Sequence, residues 1–192
     1  MRVTFVGVGE AFDEVLPNTS LFLAGMTGES RRTVLLDCGF TAAAAFFGCD
    51  GVSEADRRDG PDAVWISHFH GDHFFGLPYL LARMQEQGRS RPLLVHGGEG
   101  VAEKVATVAD LAYPGLRGKL DYELVCLEAR PEEPFGVAGV VAAAVQQVLR
   151  DRRAHGQAPS LGAPLDPPRH LVLLGQVEHE RSRLADGLAQ GI

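Results

Sequence analysis

Residues 62–78 read Asp62-Ala-Val-Trp-Ile-Ser-His-Phe-His-Gly-Asp-His-Phe-Phe-Gly-Leu-Pro78, and this stretch decides the fold. Its first residues are mostly apolar and indicate a buried strand. From Gly76 onward, apolar side chains recur at the spacing of an amphipathic helix, at Leu77, Leu80, Leu81 and Met84. The loop between strand and helix carries three imidazoles and one carboxylate, at His68, His70, Asp72 and His73.

The side chains of this loop have the chemistry of metal ligands. Imidazole nitrogens and carboxylate oxygens bind Zn²⁺ and similar divalent ions. His68 and His70 are two residues apart, so an extended backbone projects them to the same side, where they can share one ion. Gly71 lets the chain turn, which would direct Asp72 and His73 towards a second ion. The alternative is a histidine-rich surface loop without a ligand role, which the density of ligand-type residues disfavours.

The pattern His68-x-His70-x-Asp72-His73 resembles the signature loop of the metallo-β-lactamase superfamily. The longer string over residues 68–78 is similar to the ribonuclease Z-like branch, the tRNA 3′-processing endonucleases and their relatives. Three further segments resemble that branch in the same order, and the resemblance extends over about residues 1–125: Val3–Gly9 with Asn18–Leu23, Val34–Gly39 and Leu93–Gly100.

The resemblance implies a role for each residue of the loop. His68 and His70 would bind a first metal ion, and Asp72 and His73 a second, with Zn²⁺ expected and Mn²⁺ or Fe²⁺ as alternatives. Asp72 would also orient the attacking hydroxide, which makes it the expected catalytic residue. Asp37 would steady the ligands through hydrogen bonds to their N–H groups. A turn or helix-capping role for Asp37 is an equally open interpretation, because Asp-x-Gly is common after strands.

The sequence departs from the family pattern beyond about residue 140. The resemblance calls for a third histidine, a bridging aspartate and a final histidine, and residues 135–149 contain no histidine. We expect His155 to be an additional ligand, with His170 and His179 as other candidates, while Asp166 is a poor match for the bridging residue. Residues 150–170 are rich in proline and arginine, which is typical of an irregular linker.

These patterns predict the fold class and the domain organisation. Early hairpins followed by alternating strands and helices are typical of a mixed α/β sheet with helices outside. The resemblance implies the αββα sandwich of the metallo-β-lactamase fold, with its second half incomplete or diverged. We therefore expect a metal-binding domain over residues 1–140 and an atypical C-terminal segment over residues 141–192, truncated or frame-shifted relative to its relatives.

Composition limits the kinds of partner. The 192 residues include 18 basic and 25 acidic side chains, for a net charge of −7, which argues against nonspecific binding to nucleic acid. No apolar run is long enough for a membrane span, and the N-terminus lacks a signal-peptide pattern, so a cytoplasmic protein without membrane contact is expected. The substrate is expected to be a small ester or phosphodiester, or an RNA such as a tRNA precursor by analogy alone.

Three functions are consistent with these residues. The first is a metal-dependent hydrolase that uses metal-bound hydroxide on a phosphodiester or ester. The second is a catalytically impaired metal-binding fragment that lacks the later ligands and forms a homodimer to bury an open sheet face. The third is a single-metal binding protein that uses His68, His70 and His73.

Overall fold

The computed structural model describes residues 1–27 and 29–129, with no account of the side chains of residues 26 and 27. These residues form a six-stranded mixed sheet in the order β1-β2-β3-β4-β5-β6. The six strands are Arg2–Gly7 (β1), Ser20–Thr27 (β2), Ser30–Leu36 (β3), Ala63–Trp65 (β4), Leu93–Gly97 (β5) and Leu124–Glu128 (β6). The predicted segment over residues 141–192 lies outside the described residues.

The sheet changes from antiparallel to parallel at β3. Strands β1, β2 and β3 form an antiparallel meander, in which Phe22 pairs with Leu35. Strands β3 to β6 are parallel, with Leu35 opposite Val64 and Val64 opposite Val95. Parallel strands need crossover connections, and all five α-helices of the described chain lie in those connections. Because the parallel strands end at one edge, the loops that follow them meet there.

Five α-helices and one short 3₁₀-helix accompany the described strands. They are Ala42–Gly48 (α1), Glu54–Asp59 (α2), Gly71–Phe74 (α3), Leu77–Glu86 (α4), Val101–Ala112 (α5) and the 3₁₀-helix Arg117–Lys119. The apolar positions that predicted α4 are buried completely. Pro78 lies in the first turn of α4, where a missing N–H costs no helical hydrogen bond.

Helix α2 lies within a polar segment, residues 48–61, which the sequence analysis did not assign to a helix. The Ser53 hydroxyl accepts a hydrogen bond from Asp56 N and caps the helix. The Asp56 carboxylate is buried and receives both Arg31 nitrogens, at 2.6 and 2.7 Å. This ion pair joins α2 to β3, so a contact remote in sequence adds to the local cap in stabilising the helix.

The main core lies on the face of the sheet that the helices cover. Successive residues of a strand point to opposite faces, and β4 shows this directly: Val64 lies in the main core, whereas Ala63 and Trp65 join a second, smaller cluster. That smaller cluster also contains Leu23 and Val34 on the opposite face. Trp65 therefore packs on the face of the sheet away from the main core.

Two glycines allow close backbone contact between the end of β3 and the loop after β4. A Cβ on Gly39 would lie 1.9 Å from the Asp72 carbonyl oxygen, and a Cβ on Gly76 would lie 1.9 Å from the Gly39 carbonyl oxygen. Both obstacles are backbone atoms, which cannot move aside as a flexible side chain can. Only glycine fits at these two positions without displacing the loop.

Replacing Gly76 by alanine should therefore destabilise the protein. We expect Gly76→Ala to lower the free energy of unfolding by about 2–3 kcal/mol, through overpacking against the Gly39 carbonyl. Gly48→Ala is the matched control, since a Cβ there meets nothing within 4 Å. Urea unfolding followed by circular dichroism measures both. Equal stability of the two variants would contradict this close contact.

Candidate metal centre

The predicted ligand residues lie at the carboxyl edge of the parallel strands. Residues 67–76, here called the metal loop, follow β4 and include the short helix α3. Ile66 N donates to the His96 carbonyl at 2.8 Å, which ties the start of the loop to β5. The chain then turns back towards the end of β3. One sheet edge therefore holds both the loop and Asp37.

Asp37 connects the end of β3 to the metal loop through its carboxylate. Ser67 N donates to Oδ1 and the Ser67 hydroxyl to Oδ2, both at 2.7 Å. Oδ2 also lies 2.7 Å from Nδ1 of His73. One carboxylate therefore holds Ser67, just before His68, and the ring of His73, at the two ends of the segment that carries the proposed ligands. Such charge-assisted hydrogen bonds are about twice as strong as neutral ones.

Asp37 adopts a backbone conformation that few residues tolerate. Its φ of 59° lies in the left-handed region, and it is the one non-glycine residue with positive φ in the described chain. Aspartate and asparagine visit this region more readily than other residues, because their short polar side chains bond locally. The backbone is held there by two contacts: Asp37 N donates to the Trp65 carbonyl at 2.7 Å, and Ser20 Oγ donates to the Asp37 carbonyl at 2.9 Å.

The next residue clamps the loop through its backbone. Cys38 N donates to the His73 carbonyl at 2.8 Å, and the Cys38 carbonyl accepts from Gly76 N at 2.9 Å. The Cys38 thiol is buried, and burial together with nearby Asp37 raises its pKa far above the usual value. A neutral buried thiol is a poor nucleophile and a poor metal ligand. Cys38 therefore acts through its backbone.

The three imidazoles of the loop lie close together. The ring centroids of His68 and His70 are 4.6 Å apart, and those of His68 and His73 are 4.1 Å apart. The assignment of His68 with His70 and of Asp72 with His73 to two separate ions stays a prediction. Burial lowers the pKa of His68, and the neighbouring His73 and His70 lower it further, partly offset by Asp37 and Asp72. The neutral imidazole is the form that binds metal.

Both ring nitrogens of His73 face carboxylates. Nδ1 is engaged by Asp37, and Nε2 lies 3.1 Å from Oδ2 of Asp72. A carboxylate accepts hydrogen bonds but cannot donate one. A divalent cation beside Nε2 and Asp72 would find a nitrogen donor and a carboxylate oxygen, both of which are metal ligands. The donor set thus suits a divalent cation in both atom type and charge.

The described side chains do not form a complete metal site. Within residues 1–27 and 29–129, no group of three or more His, Cys, Asp and Glu side chains is positioned to hold a metal ion. A catalytic zinc ion usually has three protein ligands. The other expected donors, His155, His170 and His179, lie outside the described residues, as does Asp166.

Several neighbours of the loop were missed by the sequence analysis. Ser67 contacts both Asp37 and Nδ1 of His68, the latter at 3.0 Å, and its position directly before the histidines was the available signal. Asn18 is buried and bonds Thr41 twice through Oδ1, at 3.1 and 2.8 Å. This pair joins the β1–β2 loop to the start of α1. No periodic pattern reveals such a contact.

His96 is a strand residue of β5 and not part of this cluster. It pairs with Trp65 across the sheet and is almost completely buried. Burial lowers the pKa of His96, so the ring is neutral near pH 7.

The sequence of this chain is similar to one family model and to several curated proteins. A family model described as Anti-Pycsar protein Apyc1 matches residues 1–103. Ribonuclease Z of Methanosarcina acetivorans is 29% identical over 175 residues, which cover 88% of this chain and 50% of that protein. Ribonuclease Z of Anoxybacillus flavithermus is 36% identical over 124 residues, which cover 65% of this chain and 37% of that protein.

Solved structures support the same relationship. The crystal structure of human tRNase Z, short form, matches with a TM-score of 0.52 and 26% identity, over 67% of this chain and 45% of that chain. The chain belongs to the family of the Anti-Pycsar protein Apyc1, within the ribonuclease Z-like branch of the metallo-β-lactamase superfamily. The predicted resemblance and fold class are thereby confirmed. The chain spans about half the length of the curated relatives it matches.

Substituting Asp37 tests how the loop is held. Asp37→Asn keeps the shape and the tolerance of positive φ, but its NH₂ group donates where the carboxylate accepted. If the new NH₂ faces His73, it can donate only to an unprotonated Nδ1. The ring proton then lies on Nε2, which is the atom that a metal ion would bind. We expect Zn²⁺ affinity to fall about 10–100-fold in a chelator competition titration.

Ser67→Ala is the control for this substitution. It removes the hydroxyl contacts with Asp37 and with Nδ1 of His68 but leaves the bonds from Ser67 N and His73 to Asp37 in place. We expect a smaller loss of Zn²⁺ affinity than for Asp37→Asn. Nitrogen NMR of the His73 ring reports the tautomer in each variant. Unchanged affinity and an unchanged tautomer in Asp37→Asn would show that Asp37 does not orient the ring.

Proposed function

We propose that the chain is a metal-dependent hydrolase that cleaves a phosphodiester or ester bond. The observation that carries this proposal is the cluster of three imidazoles, with ring centroids 4.1 and 4.6 Å apart, beside the Asp72 carboxylate. The ribonuclease Z relatives support hydrolysis as the reaction. Their names also support RNA as a substrate class, with tRNA named for the human neighbour.

The proposal assigns a role to each residue of the metal loop. His68, His70, Asp72 and His73 would hold one or two Zn²⁺ ions, with Mn²⁺ or Fe²⁺ as alternatives, and His155 is the candidate for an additional ligand. When bound, such ions lower the pKa of water and neutralise charge on a phosphoryl group. Asp37 would keep Nδ1 of His73 protonated, so that Nε2 faces the ion.

Asp72 would be the catalytic residue because it presents a carboxylate at the centre of the loop. Hydrolysis joins a water oxygen to phosphorus, breaks the P–O bond of the ester and delivers a proton to the leaving oxygen. A carboxylate can accept a hydrogen bond from the attacking water and direct its lone pair at phosphorus. The contact between Asp72 and Nε2 of His73, at 3.1 Å, supports a place for Asp72 beside the proposed metal ligands.

The second candidate is an impaired metal-binding fragment, active or stable only as a homodimer. The observation that favours it is the lack, among the described side chains, of a group of three or more that is arranged to hold an ion. Its weaker variant is a single-metal binding protein that uses His68, His70 and His73. In the described part of the chain, no helix has the length and apolar character needed to cross a bilayer, and a cytoplasmic site of action belongs to the proposal.

Metal analysis of the untagged protein separates these candidates. The hydrolase should contain one to two equivalents of metal and should hydrolyse bis(p-nitrophenyl) phosphate, a generic phosphodiester. We expect His68→Ala to lower metal content sharply and to reduce hydrolysis at least about 100-fold, because a ligand is lost. The melting temperature of the variant, measured in parallel, separates loss of a ligand from loss of the fold.

Two outcomes of that experiment would contradict the proposal. Well under one equivalent of metal without hydrolysis in the unsubstituted chain would favour the fragment. Unchanged metal content in His68→Ala would remove His68 from the ligands. His155→Ala, analysed in the same way, tests the additional ligand: a wild-type metal content would exclude it.

Asp72→Asn tests the assignment of the catalytic carboxylate. The amide has the same shape but cannot accept a proton or hold a negative charge. We expect kcat for the generic phosphodiester to fall about 10²–10⁴-fold, with a smaller change in KM. Steady-state kinetics at saturating Zn²⁺ make the measurement, so that weaker metal binding does not obscure the effect. A kcat within a factor of two of wild type would exclude Asp72 from the chemistry.

A further inference from the structure

A groove of about 360 Å³ lies beside the metal loop, between the loop and helix α5. Phe69, Phe74 and Phe75 line one side, and Glu103, Lys104 and Val108 line the other. Phe69 separates His68 from His70 in the sequence, and Phe74 follows His73 directly. The aromatic wall of the groove is therefore built from the same short segment as the proposed metal ligands.

One wall of this groove is fixed in place. The ring of Phe69 lies over the turn after β5, where added Cβ atoms on Gly97 and Gly98 would be 3.5 and 3.9 Å from it. Phe69 also meets Phe74 edge to face, with centroids 5.2 Å apart. Its other neighbour is the Lys104 ammonium, 4.6 Å from the ring centroid. Phe69 is thus held by contacts with the turn, Phe74 and Lys104.

Phe75 presents an open aromatic surface next to this wall. It remains 55% exposed, although a phenylalanine in an ordinary core position would be buried. Phe40, 49% exposed, also lies beside Gly71, since a Cβ on Gly71 would be 2.7 Å from Phe40 and 3.2 Å from Phe75. Two half-exposed rings therefore flank the glycine between His70 and Asp72. Their burial by a ligand would be favourable.

Lys104 supplies the positive charge of the groove. Its ammonium donates to the Glu99 carbonyl at 2.8 Å, which holds it at the mouth beside Phe69. Two of its three N–H donors remain for other acceptors, such as a phosphate or a base carbonyl. Glu103 lies in the same groove, and the whole chain carries a net charge of −7. The groove therefore does not suit a long polyanion that needs many cations.

We propose that this groove binds a nucleobase of the substrate, stacked on Phe75, with Lys104 contacting the adjoining phosphate or the base edge. This inference rests on the proposed function, because it assumes that the bond cleaved at the metal loop belongs to a nucleotide. An aromatic face beside a single cation matches a planar base joined to one phosphate. Stacking of a base on an aromatic side chain is sequence-tolerant and energetically substantial.

Binding of adenosine 5′-monophosphate, measured by isothermal titration calorimetry on the full chain, tests this subsite. Ribose 5-phosphate is the matched probe, since it has the sugar and phosphate but no base. We expect the nucleotide to bind at least about tenfold more tightly than the sugar phosphate, from one stacked base. Phe75→Leu keeps the apolar bulk and should remove most of this preference, and Phe75→Tyr should restore it.

Two further variants control the interpretation. Phe12→Leu replaces an aromatic residue that is 94% exposed but is not among the groove residues, and it should leave both affinities unchanged. Lys104→Met should weaken binding of the nucleotide and the sugar phosphate alike, if the ammonium contacts phosphate. A loss confined to the nucleotide would place Lys104 at the base edge, which the proposal also allows.

The remaining outcomes overturn the subsite. Equal affinity for the two probes, or no effect of Phe75→Leu, excludes base stacking. A concentration-dependent dimer in sedimentation that Phe75→Leu abolishes, without nucleotide binding, makes the groove an interface between two copies. The two proposals can fail separately. If His68→Ala still binds the nucleotide more tightly than the sugar phosphate while the wild-type chain shows no hydrolysis, the subsite is retained and the hydrolase is rejected.

Discussion

The carboxylate of Asp37, at the end of strand β3, holds both ends of the ligand segment in the metal loop that follows strand β4. It accepts from Ser67 N, from the Ser67 hydroxyl and from the ring of His73. Since a carboxylate can only accept, these three contacts fix which atoms of the loop carry protons. The orientation of His73, and hence the face it presents to a cation, depends on this interaction.

Backbone packing makes that interaction possible. Gly39 and Gly76 allow the chain after β3 to touch the loop, and Cys38 bonds to His73 within helix α3 and to Gly76 just after it. Asp37 itself occupies the left-handed region at φ 59°. Strained backbone of this kind persists only where the surroundings hold it in place, and it concentrates at functional sites. The parallel register of β3, β4 and β5 brings all of these segments to one edge of the sheet.

Local periodicity predicted much of this arrangement. The apolar spacing of Leu77, Leu80, Leu81 and Met84 predicted helix α4, and the alternation of ligand residues after a buried strand predicted the loop. Helix α2 was missed because it depends on the Asp56 pair with Arg31, which is remote in sequence. The Asn18–Thr41 and Asp37–Ser67 bonds were hidden for the same reason. The sequence indicated only the aromatic part of the groove, because Lys104 on its other wall belongs to the separate helix α5.

The proposed chemistry joins these features to a substrate. The imidazoles suit a divalent cation, the Asp72 carboxylate suits an attacking water, and Phe75 with Lys104 suits the base and phosphate of a nucleotide. Fold alone would not select among these uses. The imidazoles, Asp72 and Phe75 lie on one short loop, with Lys104 of helix α5 beside it. The Asp37 contacts hold that loop against the sheet.

X-ray absorption spectroscopy of the zinc-loaded full chain tests the central claim most directly. The account predicts imidazole nitrogen scattering from at least two histidines, at about 2.0–2.1 Å from zinc, without sulfur at about 2.3 Å. Coordination by water alone, or by cysteine sulfur, would contradict it, because the loop would then not deliver its imidazoles to a cation.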